Sequence, residues 1–193
     1  MENKIVCVVG MPGAGKSLVS DELVKQGFLY IRFGQITLDK VRGLGLAVTE
    51  DNEKRIREDL RKKHGMAAFA VLNIPKIDKL LEKSQVVVDG LYSWSEYKIL
   101  KEKYGERMYV LAVYAPPKMR SKRLKERKLE RGDKDQRFRP LEGKETRARD
   151  YAEIENLEKG GPIAMADFTI VNTGTIVQLK KQVKEIIKDV ICD

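Results

Sequence analysis

The chain has no run approaching the ~20 consecutive apolar residues needed to cross a bilayer, which excludes a membrane-spanning helix. Cysteine is scarce: Cys7 and Cys192 show neither metal-site spacing nor a disulfide framework, and both are expected to be free thiols. Nothing near Cys7 in sequence would lower its pKa, so a redox role is not expected of it. Histidine occurs once, as His64 beside Gly65 at what reads as a helix end, where capping suits it better than catalysis. Internal repeats are absent. The segment Met1-Glu2-Asn3-Lys4 leads directly into an apolar run without the layout of a secretory signal, so a cytoplasmic protein with no membrane partner is expected.

What is present is enough for one globular domain: 193 residues, 42% hydrophobic and 35% charged. Five short β-rich runs are expected as strands: Lys4 to Val9, Phe28 to Arg32, Gln85 to Asp89, Met108 to Tyr114 and Phe168 to Val171. The first lacks polar alternation, the mark of a parallel strand covered on both faces. Helical spacing covers Ser17 to Gln26, Glu50 to Leu81 with breaks near Gly65 and Pro75, Ser93 to Tyr104, Lys118 to Arg131 and Thr175 to Val190. Strand alternating with helix implies an α/β fold with a parallel sheet. Two stretches interrupt the rhythm and read as insertions over one end of the sheet, residues 34–81 and 118–161, leaving 1–33, 82–117 and 162–193 as the core. The net charge is +9, and much of it is local: eleven basic against four acidic residues lie between Lys118 and Arg139. Such a segment is either a solvated face or a surface for phosphorylated ligands or nucleic acid. Pro116-Pro117 reads as a rigid entry to its helix.

Gly10-Met11-Pro12-Gly13-Ala14-Gly15-Lys16-Ser17 fits G-x-x-x-x-G-K-[ST] at every fixed position, and it follows an expected buried strand and opens an expected helix. The glycines let backbone N–H groups curl around phosphate, Lys16 reaches the β and γ phosphates, and Ser17 offers a hydroxyl to Mg²⁺. ATP and Mg²⁺ are therefore the expected cofactors. No N-K-x-D motif is present, which disfavours a GTPase. The strand Val86-Val87-Val88-Asp89 ends in Asp-Gly, so the glutamate that activates water in many ATP-driven motors is missing. Asp89 can still orient the metal or accept a proton from an acceptor hydroxyl.

Taken in order, the N-terminal P-loop, Asp89-Gly90, Arg123-Leu-Lys-Glu-Arg127 and Ala166-Asp167-x-x-Ile170-x-Asn172-x-Gly174 resemble the nucleoside monophosphate kinases (adenylate kinase-like) and their cousin dephospho-coenzyme A kinase. Gly34-Gln35 with Arg42, Gly65-Met66 to Ile74-Pro75-Lys76-Ile77, and Arg149-Asp150 bring the chain nearest to an archaeal-type set of adenylate kinase-related P-loop proteins. The resemblance implies a three-layer α/β/α P-loop fold with a five-stranded parallel sheet, a helical acceptor-binding insertion and a basic lid. It places Gly34, Gln35 and Arg42 in the acceptor pocket. Arg123 and Arg127 would meet the nucleotide and the transferring phosphates, Arg147 or Arg149 would close from the far side, and Asn172-Thr173-Gly174 would lie beside the adenine.

The chain departs from that pattern in three places. It has Phe33-Gly34-Gln35 where adenylate kinase-like acceptor sites have Thr-Gly-Asp, and Ser93 where an arginine grips the acceptor phosphate. It also lacks the aspartate pair of dephospho-coenzyme A kinases after the second strand. The expected function is ATP- and Mg²⁺-dependent phosphoryl transfer to a small phosphorylated acceptor such as a nucleoside monophosphate. The alternative is an ATP-binding switch or weak ATPase that engages RNA or a protein partner through the basic lid. Trp94 and Tyr97 are read as helix packing, with stacking on an acceptor base as the other reading.

Overall fold

The computed structural model describes residues 2–128 and 143–192, with side chains from 145 onward in the second stretch and up to 190. Five parallel strands form one sheet in the order β2-β3-β1-β4-β5. They are β1 (Ile5–Val9), β2 (Leu29–Arg32), β3 (Val86–Asp89), β4 (Met108–Tyr114) and β5 (Phe168–Val171). Every residue of β1 is buried because the sheet is covered twice. Ile5, Cys7 and Val9 face one core with Phe69 and Leu100. Val6 and Val8 face the other with Val19, Leu23, Leu179 and Val183. That is why this strand reads as an unbroken apolar run. The Cys7 thiol lies in the first of these cores, where burial, then the negative charges of Asp167 and Glu96, push its pKa far above the ordinary value. It is kept as an inert thiol.

The helices are α1 (Lys16–Lys25), α2 (Gln35–Gly43), α3 (Glu50–His64), α4 (Ala68–Leu81), α5 (Trp94–Tyr104), α6 (Pro117–Lys125), α7 (Gly143–Glu155), α8 (Gly160–Ala164) and α9 (Ile176–Cys192). Thr49 caps α3 by accepting from the Asn52 N–H, and α3 stops at His64 because Gly65 turns with φ 77°. Ser93 and Glu96 form a reciprocal capping box on α5. Two expectations need correction. The helical spacing read from Glu50 is preceded by a separate helix, α2, at the start of the helical insertion, and α4 runs through Pro75 without a break. Pro75 and Val71, whose carbonyl loses its usual partner, both lie on the exposed side of α4. The helix expected to reach Arg131 is seen as α6 up to Lys125, and residues 129–142, with much of the basic segment, lie outside the described residues.

Trp94 and Tyr97 stack with ring centroids 4.9 Å apart, and Gly161 of α8 lies against the indole closely enough that a Cβ would sit 2.7 Å from it. This places them in packing between α5 and α8. Among the described residues, no helix is long and apolar enough to cross a membrane.

Candidate active site

The parallel register sets Asp89 beside Val8, so the end of β3 stands next to the root of the loop that follows β1. That loop is walled by neighbours rather than open. A Cβ on Gly13 (φ 77°) would lie 2.7 Å from the Arg120 carbonyl oxygen, and one on Gly15 (φ 106°) would lie 2.3 Å from Asn172 Nδ2. Glycine is required at both by conformation and by space. Asn172 is buried and donates through Nδ2 to the Ala14 carbonyl at 2.7 Å, which ties the turn after β5 to the loop. On the opposite wall Arg120 donates to the Pro12 carbonyl at 3.0 Å and to the Ala115 carbonyl at 3.1 Å, while pairing with Asp150 of α7. Lys16 folds back over the loop, its Nζ donating to the carbonyls of Gly10 at 2.8 Å and Met11 at 3.2 Å.

A cleft opens over the loop. Lys16, Ser17 and Asp89 line it from the sheet side, Arg127 from the chain following α6, and Arg149, Glu153 and Lys159 from α7 and the turn after it. Burial lowers the Lys16 pKa to about 7, helped by the positive charge of Lys159 and opposed by Glu153 and Asp89. Glu153 behaves in the opposite sense. Burial pushes its carboxyl up, but Lys159, Arg149 and Lys16 outweigh that and hold it at about 2. Its two oxygens are both engaged: Oε1 accepts from Arg149 Nε at 3.2 Å and Oε2 accepts from Lys159 Nζ. Lys159 is only 1% exposed, and its ammonium also sits 5.2 Å from the centre of the Tyr92 ring. Two cations, Arg149 and Lys159, are thus held over the loop by one carboxylate.

The structure brings several sequence-derived candidates together. Lys16, Ser17, Asp89, Arg127 and Arg149 share the cleft with Pro12 and Gly13 of the loop. Asp89 is 6% exposed and its Oδ2 accepts from the Tyr30 hydroxyl at 3.0 Å. Arg123 turns to the neighbouring wall, where Nη2 donates to the Asn172 carbonyl at 3.0 Å. Gly174 is exposed, against the Gln178 side chain. Gly34 sits beside the Tyr92 hydroxyl, 2.9 Å from where its Cβ would be. Gln35 and Arg42 are not among the residues lining the cleft: Gln35 donates to Asp39 along α2, and Arg42 is exposed in its last turn. In their place stand Arg32, Tyr92, Glu153 and Lys159, none of which was singled out from sequence, and Arg120 behind the loop. One signal was available, since Arg149 and Glu153 are spaced i,i+4.

The residues fit a nucleoside triphosphate with Mg²⁺. A glycine loop that admits no Cβ, capped by a lysine, is a cradle for phosphate. Among the described residues no cluster of three or more His, Cys, Asp or Glu could hold a metal. Ser17 and Asp89 beside the cradle suit an ion carried largely by phosphate and water, as Mg²⁺ prefers.

Sheet order, loop and cleft define a P-loop protein with a kinase-like fold. Shikimate kinase from Acinetobacter baumannii, solved in complex with shikimate, has a similar fold, with a TM-score of 0.56 at 17% identity over 97% of this chain and 94% of that one. A gluconokinase from Sinorhizobium meliloti gives 0.57 at 14% identity, over 98% and 96%. The chain belongs to the AAA domain family, whose profile matches residues 6–156, and to the UPF0200 proteins. UPF0200 relatives from Thermococcus gammatolerans and Thermococcus kodakarensis are each 36% identical over 189 residues, covering 97% of this chain and 95% and 98% of theirs.

Proposed function

We propose that the protein is an ATP- and Mg²⁺-dependent phosphotransferase of adenylate kinase-like type that moves the γ-phosphoryl group of ATP to a small phosphorylated acceptor, with nucleoside monophosphates as the first class. The observation that carries this reading is the convergence of Lys16, Arg127, Arg149 and Lys159 with Ser17 and Asp89 in one cleft over the loop. Bound Mg²⁺·ATP supplies the electrophilic phosphoryl group and a cation that neutralises its oxygens. Lys16 leaves the Gly10 and Met11 carbonyls to meet the β and γ phosphates. Asp89 would help to hold the metal ion or, for an acceptor that presents a hydroxyl, accept its proton; an acceptor phosphate attacks as an anion and needs no base. As the acceptor oxygen bonds to phosphorus and the bond to the β-phosphate oxygen breaks, Arg127 and Arg149 offset the charge spread over the equatorial oxygens. Positioning and charge neutralisation are what this reaction asks of a protein.

The test is ADP formation from Mg²⁺·ATP across nucleoside monophosphates, dephospho-coenzyme A, shikimate, gluconate and RNA. Stimulation by one small acceptor, lost in Lys16→Ala, supports the reading. Slow hydrolysis that only RNA or a protein alters supports the ATP-driven switch instead.

A further inference from the structure

We infer that Arg32 captures the anionic group of the acceptor, which makes that acceptor a small molecule bearing a phosphate or a carboxylate. The inference rests on the phosphotransferase reading and adds to it the residue that selects the acceptor.

Arg32 is the last residue of β2, in register with Asp89 across the β2–β3 pair. The rest of that strand, Leu29-Tyr30-Ile31, is apolar or aromatic, and a guanidinium at its end needs a reason. No structural one is found. Arg32 Nη1 is buried and has no hydrogen-bond partner among the described residues. An interior guanidinium nitrogen without an acceptor is costly, and a bound anion would satisfy it. Arg61 and Arg123 each also have a buried unpartnered nitrogen, but Arg61 lies over the Phe69 ring, 5.2 Å from its centre, and Arg123 Nη2 is committed to the Asn172 carbonyl. Arg32, at the end of β2, lines the same cleft as Arg127 and Arg149.

Tyr92 is seated directly over the glycines beside Arg32. A Cβ on Gly34 would lie 2.9 Å from the Tyr92 hydroxyl, and one on Gly90 would lie 2.8 Å from it, so the floor between β2 and β3 is two glycines under one phenol. Tyr92 is held from behind by an edge contact with Phe69 at 6.0 Å and by Lys159 over its ring. Two polar groups of the neighbouring segments are engaged elsewhere. Gln35 donates to Asp39, and Ser93 caps α5. Arg32 therefore supplies the anion-binding group that Ser93 does not.

The test uses the whole protein with its P-loop filled by Mg²⁺ and adenylyl imidodiphosphate, titrated calorimetrically with AMP, gluconate and uncharged adenosine. The expected result is that AMP or gluconate binds at least about tenfold more tightly than adenosine, the scale of one charge-assisted contact. Which of the two binds separates a phosphate from a carboxylate source. Arg32→Gln removes that preference while adenylyl imidodiphosphate affinity stays within about twofold, and Arg32→Lys recovers part of the loss as a point charge without the fork. Arg32→Lys also serves as the test should Arg32→Gln fail to fold. Equal anion binding by the wild type and either substituted protein overturns the inference, as does a wild type that binds neither anion. Anion capture through Arg32 without phosphoryl transfer to any acceptor keeps the site and defeats the phosphotransferase reading.

Discussion

Arg120 grips Asp150 with both prongs of its guanidinium, Nη1 to Oδ1 and Nη2 to Oδ2, each at 2.8 Å, with the two side chains 6% and 15% exposed. The same guanidinium donates to the Pro12 carbonyl, so one residue of α6 fastens α7 to the phosphate loop. Arg120→Lys keeps the charge and loses the fork. It is expected to lower stability by roughly 1–3 kcal/mol and to weaken Mg²⁺·ATP binding, because the loop loses an anchor. Urea unfolding and nucleotide titration measure the two effects, and a stability loss with unchanged nucleotide affinity contradicts the anchoring role.

Glu153 neutralises a lysine that has almost no access to water. Glu153→Gln strands Lys159 and is expected to cost about 3–5 kcal/mol, whereas adding Lys159→Met is expected to return much of it. Urea unfolding of the single and double variants measures this coupling.

The same carboxylate sets an acid limit. Its pKa in the folded protein is about 2 against an ordinary 4.5, with burial opposing and Lys159, Arg149 and Lys16 prevailing. Its contribution is therefore present above pH 4.5 and lost as pH falls towards 2. Unfolding midpoints of the wild type should fall through that window more steeply than those of Glu153→Gln.

Lys16 links nucleotide binding to protons. With its pKa lowered to about 7 by burial and Lys159, it is largely neutral at pH 8, and incoming phosphate favours the ammonium. Binding of Mg²⁺·ATP at pH 8 should take up close to one proton, and affinity should decline as pH rises above about 7. Calorimetry in two buffers of different ionisation enthalpy reads the uptake. Lys16→Met should bind weakly without it, and proton release by the wild type would contradict the assignment.

Pro75 interrupts α4 chemically but not geometrically. Pro75→Ala should restore a backbone donor and stabilise the protein by about 1–3 kcal/mol, with no change in nucleotide affinity. Thermal or urea unfolding checks the sign.

The sheet could be read from the chain because its central strands β1 and β3 are apolar and buried on both faces, and β4 and β5 fall on the residues their β-rich runs marked out. The P-loop was legible because phosphate binding demands fixed residue types at fixed spacing. The helix α2 was hidden by its short, polar sequence, and Pro75 suggested a break that the exposed side of α4 absorbs. Glu153, Lys159 and Arg120 look like ordinary surface charges in sequence. Their roles arise only when α6, α7 and the turn after α7 close over the loop, which no local pattern encodes. Arg32 left a fainter trace, a lone charge closing a short strand.

The central claim is best tested by following the phosphorus itself. With Mg²⁺·ATP and an anionic acceptor, ³¹P NMR should show the γ signal passing to a new phosphate linkage on the acceptor as ADP forms, and Lys16→Ala should abolish it. ADP with inorganic phosphate alone, whatever the acceptor, would contradict the account.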